Sequence, residues 1–234
     1  MYALLLAAGD GRRLQQVLKG NPKPLLKVGG KSLLEHQLRN LQILGVNSLI
    51  VVTKPSFKNQ IKRVVTSYPL RCKIIVKNTK NGFESLLLSS KELKGKKFVL
   101  LTIDSIYKPR DLKKFRIKLS NSQRAESFLV GATSLNQDTK PTFVLLDDNK
   151  KIVNIGRTYN TSSLITAGIY ICPSDFFTYV EQAKKTGINS LSEYLDFYVT
   201  HSKHGNLYLF AKTVDVDTPK DINLAEDLLR SRKN

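Results

Sequence analysis

The sequence predicts an α/β fold of three layers, with helices on both faces of a mostly parallel, mixed β-sheet. Three observations lead to this prediction. Apolar segments of strand length alternate with segments of helical periodicity through the first half of the chain, the pattern of right-handed βαβ crossovers. A hairpin-like pair of strands follows later, so the second half of the sheet is expected to be mixed. The length of 234 residues suits a single domain of this kind.

The first half alternates regularly between strands and helices. Tyr2–Ala8 is a continuous apolar run ended by glycine, typical of a strand buried on both faces. A loop is expected from there through Gly30. Apolar residues then recur at helical spacing between Ser32, a capping residue, and Gly45, where a helix would end. The same patterns predict strands at Ser48–Thr53, Cys72–Lys77 and Lys97–Ile103, and helices at Pro55–Ser67, Phe83–Leu93 and Pro109–Ser120.

The second half is less regular, and the acidic turn at 147–149 marks its hairpin. The final helix carries Thr218 at its cap, Pro219 in its first turn and Asp221 three residues after the threonine. Strands are predicted at Ser127–Thr133, Phe143–Leu146, Lys151–Ile155, Leu164–Ile171 and Leu207–Phe210, and helices near Pro173–Thr186, Ser190–His201 and Thr218–Arg230. No internal repeat or linker is visible, so residues 1–234 are interpreted as one domain.

Composition narrows the class of protein. Hydrophobic residues make up 41% of the chain and charged residues 24%, which is ordinary for a globular domain. Cys72 and Cys172 lie far apart with no zinc-binding spacing, so a reduced, cytoplasmic compartment is the expectation. No apolar stretch approaches the ~18 residues of a membrane span, and we expect no membrane association.

The formal net charge of +19 makes polyanions candidate partners. A biased composition on a solvated surface explains the charge equally well. The basic residues are spread through nearly every segment, without an RGG tract, an RNP-type aromatic block or a zinc-finger spacing. This distribution disfavours nucleic acid and favours a small anion.

The loop after the first strand is where a parallel sheet would bind such an anion. It begins Gly9-Asp10-Gly11-Arg12-Arg13-Leu14. A dinucleotide fingerprint needs a third glycine where Leu14 stands, and a P-loop needs GKS or GKT, so both common phosphate motifs fail. The informative feature is the whole phrase from Leu6 to Leu26, which contains both glycines, Arg13 and the segment Pro22-Lys23-Pro24.

The residue types in this loop suit a polyphosphate. Glycines let backbone N–H groups approach phosphate oxygens closely. Arg13 offers a forked pair of donors, and Lys23 supplies a compact positive charge between two prolines. In a bound nucleotide, such groups would neutralise the charge that develops on the α-phosphate and on the β-phosphate as the latter leaves.

The complete phrase resembles the nucleotidyltransferase superfamily, and the resemblance covers essentially the whole chain. This superfamily includes sugar-phosphate nucleotidylyltransferases, inositol-1-phosphate and phosphocholine cytidylyltransferases, and molybdenum-cofactor guanylyltransferases; the pattern is closest to the inositol-1-phosphate branch. The resemblance implies the Rossmann-like, GT-A-like fold of nucleotide-diphospho-sugar transferases, with a nucleotide-binding half at 1–135 and an acceptor-binding half at 136–234. It implies Arg13 and Lys23 as catalytic residues, and a nucleotide site formed by Leu6, Ala7, Ala8, Gly9, Gly11, Arg13 and Lys23.

The resemblance also implies a Mg²⁺ ion held by aspartates. Asp104 follows an apolar strand, at a position where family members often carry Gly-Asp and this chain has Ile-Asp. Asp217 lies in the segment 215–221, which resembles the family's closing Asp-x-Asp motif. Because hard cations take oxygen ligands, Asp104 and Asp217 are the expected metal ligands. Asp215 could also bind the metal or support it, whereas Asp221 suits the first turn of the last helix.

Further positions match less specific parts of the family pattern. Gly82 and Ser85 resemble the Gly-x-x-Ser of the cytidylyltransferases and could contact the nucleobase or ribose, although a helix start explains them nearly as well. The acceptor side is expected to include Lys140, Arg157, Thr166 and Gly168. Thr166 replaces the acidic residue that commonly precedes this glycine, so a hexose acceptor does not follow from the pattern.

The resulting hypothesis is a Mg²⁺-dependent enzyme that transfers a nucleoside monophosphate from an NTP, preferably CTP, to a phosphorylated small molecule such as a sugar- or alditol-phosphate. Pyrophosphate is the second product. The expected partners are the NTP and this acceptor, and the chain could form a homodimer. Two alternatives are a noncatalytic basic protein that binds nucleotides or RNA, and a GT-A-type glycosyltransferase that consumes a nucleotide sugar.

Overall fold

The computed structural model describes residues 1–122, 127–134, 140–160, 162–202 and 205–231. Within these ranges the strands are β1 Tyr2–Leu6, β2 Lys27–Val28, β3 Lys31–Ser32, β4 Ser48–Thr53, β5 Arg71–Val76, β6 Phe98–Thr102, β7 Ser105–Tyr107, β8 Phe128–Thr133, β9 Phe143–Leu146, β10 Ile152–Gly156, β11 Ile165–Cys172, β12 Gly205–Phe210 and β13 Thr213–Asp215. The α-helices are α1 Gln15–Leu18, α2 Leu33–Ile43, α3 Lys58–Thr66, α4 Gly82–Leu88, α5 Ser90–Leu93, α6 Pro109–Ser122, α7 Val180–Lys185, α8 Leu191–Ser202 and α9 Pro219–Arg230.

The central sheet has the strand order β5-β4-β1-β6-β11-β8-β12-β10-β9. Strands β5, β4, β1 and β6 run parallel, and β11 enters antiparallel between β6 and β8. The predicted parallel first half, the mixed second half and the β9–β10 hairpin are therefore confirmed. The carboxyl ends of β1 and β6 meet at one edge of the sheet, where ligands of such sheets bind.

Alternation along the strands explains the two helical layers. In β1, Ala3 and Leu5 face a core that contains residues of α2, α3, α6 and α9, whereas Leu4 and Leu6 face a second core with α4, α7 and α8. Since successive strand side chains point to opposite faces, a strand buried on both faces is apolar throughout. The predicted three-layer arrangement is confirmed.

Several predicted element bounds are corrected by the structure. The expected loop through Gly30 contains α1, short 3₁₀ turns and the β2–β3 hairpin, which turns at Gly29 and Gly30 with φ of 56° and 80°. The expected helix Phe83–Leu93 is split into α4 and α5. The expected helix Pro173–Thr186 is helical only from Val180, because both Phe176 and Phe177 turn into the aromatic core before it.

A two-stranded sheet formed by β7 and β13 lies outside the predicted elements. It pairs Ser105 with Asp215 across the antiparallel register. The Val216 N–H extends this contact by donating to the Asp104 carbonyl oxygen, at 3.0 Å. This small sheet thus joins the segment after β6 to the acidic segment before α9.

The N-terminus of α9 supports a first testable prediction. Asp221 Oδ2 accepts hydrogen bonds from the backbone N–H groups of Asp217 (3.1 Å) and Thr218 (2.7 Å) and from the Thr218 hydroxyl (2.9 Å). The predicted capping role of Asp221 is confirmed. We expect Asp221→Ala to lower the free energy of unfolding by about 1–2 kcal/mol, as measured by urea denaturation. Asp227→Ala on the exposed side of α9 is the control, with a change within about 0.5 kcal/mol; equal losses in both variants would contradict the capping assignment.

No helix among the described residues combines the length and apolarity needed to cross a membrane.

Candidate active site

A cavity of about 480 Å³ opens at the carboxyl ends of β1 and β6. Its walls are the loop after β1, the end of β6, the N-terminal part of α4 and the first residue of α8. The predicted nucleotide-site residues that line it are Leu6, Ala8, Gly9, Gly11, Arg13, Lys23, Gly82 and Ser85, together with Asp104 and Asp217. The residues that the family resemblance implies thus converge from five separate segments of the chain.

Ala7 differs from the other predicted nucleotide-site residues. It is fully buried in the core, and its backbone N–H donates to the Val52 carbonyl oxygen at 2.9 Å. It is not among the residues that line the cavity, because alternation in this extended segment turns Ala7 toward the core.

The glycine-rich loop folds closely over Lys23. Gly11 has φ of 60°, in the left-handed region, and a Cβ added there would lie 3.1 Å from the Lys23 Cβ and 3.0 Å from the Leu18 Cδ1. Glycine is required at this position for both its backbone conformation and its size. Gly9 faces open space, so the backbone there is accessible from the cavity.

Four charged side chains meet at the base of the cavity. Lys23 Nζ lies 2.7 Å from Asp104 Oδ2 and 2.6 Å from Asp217 Oδ1. The Arg13 guanidinium lies 2.7 Å from Asp217 Oδ2. The Lys23 side chain is only 5% exposed, whereas Asp104 is 23% and Asp217 25% exposed. The two predicted phosphate-binding cations therefore contact the two predicted metal-binding carboxylates.

The ion pairs control the protonation of this cluster. Burial opposes the charged form of Lys23, but the Coulomb attraction of Asp104 and Asp217 outweighs it and raises the pKa of the ammonium. Burial likewise opposes ionisation of Asp104, and the charge and hydrogen bond of Lys23 overcome it, so the pKa of this carboxyl is lowered. Both groups are charged across the neutral range.

The donor set fits a divalent cation. One nitrogen atom contacts oxygens of both Asp104 and Asp217, so a single small cation can reach two carboxylates from different segments. Mg²⁺ is commonly held by one or two protein carboxylates, with water and substrate phosphates as its other ligands. Among the described residues, no group of three or more His, Cys, Asp or Glu side chains is arranged to hold a metal. The two carboxylates therefore suit a metal whose other ligands are water and phosphate oxygens.

Ser85 forms hydrogen bonds through its hydroxyl within the wall of the first cavity. Its side chain is buried, and its hydroxyl lies 2.7 Å from the Thr79 hydroxyl and donates to the Asn81 carbonyl oxygen at 3.2 Å. Asn81 also caps α4 by accepting the Glu84 N–H. Gly82 lies against α8, because a Cβ added there would be 3.2 Å from the Leu191 Cβ.

A second cavity of about 310 Å³ adjoins the first and shares Arg13, Asp104 and Asp217 with it. All four predicted acceptor-site residues line this second cavity: Lys140, Arg157, Thr166 and Gly168. Asp215 lines it as well, but does not line the first cavity. The predicted nucleotide and acceptor residues thus lie in adjoining cavities that meet at the charged cluster.

A hydrogen-bonded chain holds Asp215 at the second cavity. Ser105 is fully buried; its hydroxyl lies 3.0 Å from the Thr102 hydroxyl and donates to Asp215 Oδ1 at 2.6 Å. Gly168, with φ of 69°, covers these groups, and an added Cβ would lie 2.0 Å from the Ser105 hydroxyl and 2.3 Å from that of Thr102. Only glycine allows β11 to pass this close.

The N-terminal turn of α8 is the part of the site that the sequence interpretation missed. Ser190, Leu191 and Ser192 line the second cavity, and Leu191 lines both. The signal was a Ser-x-x-Glu capping pattern, in which the Ser190 hydroxyl accepts the Glu193 N–H and Glu193 accepts the Ser190 N–H. This pattern indicates where a helix begins and carries no information on which cavity it faces.

Comparison with known proteins links this geometry to a family. Residues 3–147 match the MobA-like NTP transferase domain. A bifunctional IPC transferase and DIPP synthase from Aquifex aeolicus is 25% identical over 97% of this chain and 51% of that protein. A bifunctional protein GlmU from Methanocaldococcus jannaschii is 25% identical over 100% of this chain and 55% of that protein. The chain spans about half the length of these curated relatives.

A solved structure supports the fold independently. The inositol-1-phosphate CTP transferase from T. maritima matches with a TM-score of 0.81 and 20% sequence identity, over 100% of this chain and 98% of that chain. At this identity the likeness concerns the fold, and it confirms the predicted Rossmann-like arrangement.

Proposed function

This chain belongs to the family of MobA-like NTP transferase domains, and on that premise we propose that it transfers a nucleoside monophosphate from an NTP to a phosphorylated small molecule, releasing pyrophosphate. The family membership confirms the resemblance found in the sequence. One observation carries the proposal: Arg13, Lys23, Asp104 and Asp217 meet where the two cavities join.

The first cavity suits the NTP. Backbone N–H groups near Gly9 and Gly11, with the charges of Arg13 and Lys23, offer fixed donors to a triphosphate. A triphosphate would compete with Asp217 for both cations. Its binding would therefore free carboxylate oxygens for a metal, so that cations and anions exchange partners without leaving a buried charge unpaired.

We assign the divalent metal as Mg²⁺, with Asp104 and Asp217 as its ligands. Bound with the NTP, Mg²⁺ would supply charge neutralisation on the phosphates during transfer. The chain's own residues would position the phosphates, and no protein nucleophile is needed, because an acceptor phosphate oxygen can attack the α-phosphorus in line. The bond from the α-phosphorus to its bridging oxygen breaks, and pyrophosphate carries away the electron pair.

The second cavity is proposed as the acceptor site. Lys140 and Arg157 offer positive charge to a phosphomonoester, while the Thr166 and Asp215 side chains offer groups that can bind hydroxyls. Residues 1–135 and 136–234 would then act as nucleotide-binding and acceptor-binding halves of one domain, with an alditol- or sugar-phosphate as acceptor. The size of the protein in solution, measured by gel filtration, distinguishes a monomer from the proposed homodimer.

CTP is the proposed nucleotide, supported by the Gly82–Ser85 segment and by the fold likeness to a CTP transferase. The free cysteines Cys72 and Cys172 are compatible with the proposed cytoplasmic location. Both assignments refine the proposal and neither is needed for it.

Pyrophosphate release tests the function. The purified protein is incubated with each NTP, Mg²⁺ and a panel of phosphomonoesters that includes alditol, sugar and choline phosphates. We expect pyrophosphate to form with CTP and an alditol- or sugar-phosphate, and to stop when EDTA removes the metal. Release of a nucleoside diphosphate from a nucleotide sugar would identify a glycosyltransferase instead. No release from any pair by folded protein would overturn the proposal.

A further inference from the structure

Arg157 lies on a short segment that connects β10 to the residues before β11. Its side chain is exposed and lines the second cavity. An exposed arginine samples many rotamers, and holding its backbone in one place limits the region that its guanidinium can reach. The contacts that hold this segment therefore bear on the acceptor site.

One carboxylate on α8 binds the chain on both sides of Arg157. Asp196 Oδ1 accepts hydrogen bonds from the Ile155 N–H at 2.7 Å and from the Asn154 side-chain amide at 3.2 Å. Asp196 Oδ2 accepts the Tyr159 hydroxyl at 3.1 Å. The Asn154 amide also donates to the Tyr159 hydroxyl at 3.0 Å, which closes the network.

The geometry at Gly156 tightens this segment further. A Cβ added to Gly156 would lie 2.9 Å from the Tyr159 Cε2, so the tyrosine ring lies directly against the backbone that precedes Arg157. Burial and the nearby Asp196 charge raise the pKa of Tyr159, so its hydroxyl stays protonated and can donate at neutral pH.

The same helix forms a wall of the acceptor cavity. Leu191, Ser192 and Leu195 of α8 line that cavity, and Asp196 follows immediately. Helix α8 therefore fixes two things at once: the wall of the cavity and the segment that carries its arginine.

We infer that Asp196, with Tyr159, is a positioning residue that holds Arg157 at the acceptor phosphate. This inference rests on the proposed function for its kinetic consequence, but the structural effect of Asp196 on the segment can be measured without any activity. The role is one of placement, since neither Asp196 nor Tyr159 lines either cavity.

A second tyrosine–aspartate pair, whose tyrosine lies on α8, provides a matched control. The Tyr198 hydroxyl donates to Asp175 Oδ1 at 2.7 Å, and neither residue lines the two cavities. Asp175→Ala and Asp196→Ala each remove one carboxylate that accepts a tyrosine hydroxyl. Tyr198→Phe and Tyr159→Phe each remove only the hydroxyl.

Steady-state kinetics distinguish a role in positioning Arg157 from a general loss of structure. We expect Asp196→Ala to raise the KM for the phosphorylated acceptor by about 10- to 100-fold, with the KM for CTP changed less than about twofold, because a displacement near 1 Å can cost that much. Tyr159→Phe should show the same selectivity with a smaller effect. Asp175→Ala and Tyr198→Phe should leave both KM values near wild type. Equal changes in both KM values, or none, in an active Asp196→Ala variant would overturn the inference.

Limited proteolysis tests whether Asp196 holds the segment around Arg157, and it does so without measuring activity. Trypsin cleaves after arginine, and local opening limits cleavage in a folded protein. Mass spectrometry should show the Arg157–Thr158 bond cut at least about tenfold faster in Asp196→Ala than in wild type or Asp175→Ala. Unchanged cleavage at this bond would show that Asp196 does not hold the segment, and would overturn the inference. If wild-type protein releases no pyrophosphate, the proposed function fails while this cleavage result still decides whether Asp196 holds the segment.

Discussion

Replacing Lys23 with methionine should reduce kcat/KM for pyrophosphate release by about 10²–10³-fold, the loss typical of removing one group that stabilises developing charge. Methionine keeps most of the volume of the buried side chain but removes the ammonium that contacts Asp104 and Asp217. Two carboxylates would then remain near each other without their shared cation. Because both are partly exposed, water can solvate them, and the fold should persist.

The pH dependence of Lys23 has a definite sign. Its pKa is raised by folding, so its stabilising contribution is complete below the ordinary lysine pKa of 10.5 and is lost only as the pH rises through the higher folded value. The pKa of Asp104 is lowered from 3.8, so its contribution is complete above that value and is lost as the pH falls through the lower folded value. In the wild-type protein the contribution of this ion pair to the free energy of unfolding should therefore be nearly constant between pH 5 and pH 9, about the range of most assays.

Lys54→Met is the matched control for this experiment. Lys54, which follows β4, pairs with Asp10 of the glycine-rich loop after β1. This pair involves a single carboxylate, which is 44% exposed. An ion pair to one such carboxylate contributes little, and Lys54 lines neither cavity, so activity should stay within about threefold of wild type. Thermal unfolding of both variants verifies that they are folded. A folded Lys23→Met protein with near wild-type activity would show that Lys23 only neutralises the two aspartates and does not act on the substrate.

The sequence predicted the parts of this site that depend on local pattern and on parallel-sheet geometry. Asp104 lies just after β6, and the carboxyl ends of parallel strands share one edge of the sheet, so its place at the cavity could be expected. Asp217 follows β13, which lies outside the central sheet, and it was the resemblance to the family motif that pointed to this residue. Gly11 was predicted for a backbone near phosphate, and the structure adds that its missing side chain also leaves room for Lys23. The placement of Gly11 and Asp104 at the cavity could be predicted because it needs only a residue type and a place in the βαβ order.

The remaining features depend on contacts between distant segments. The strands β7 and β13 have three residues each, too short for a periodic signal, and yet they place Ser105 beside Asp215. The network around Asp196 joins residues about forty positions apart, as the Tyr159–Asp196 separation of 37 shows. Neither contact has a local signature. Near Phe176 the sequence has helical periodicity, but burial of the aromatic rings prevents a helix there. The ring centroids of Phe176 and Tyr198 lie 4.8 Å apart.

Asp217→Asn should weaken metal-dependent activity far more than Asp215→Asn, although the two residues are separated by a single valine. Both oxygens of Asp217 contact the cations at the junction of the cavities, Oδ1 with Lys23 and Oδ2 with Arg13. Asp215 Oδ1 instead accepts the buried Ser105 hydroxyl. We expect Asp217→Asn to lower kcat by about 10²–10³-fold and to raise the Mg²⁺ concentration needed for half-maximal rate.

Asp215→Asn serves as the discriminating variant, because its side chain lines only the acceptor cavity. It should leave the Mg²⁺ requirement unchanged while raising the KM for the acceptor. Titration of Mn²⁺ into protein with CTP, followed by calorimetry, measures metal binding without turnover. A larger loss of Mn²⁺ affinity in Asp215→Asn than in Asp217→Asn would make Asp215 the metal ligand. The contact between Lys23 and Asp217 would then be structural, and Asp104 and Asp215 would define a metal site displaced toward the acceptor cavity.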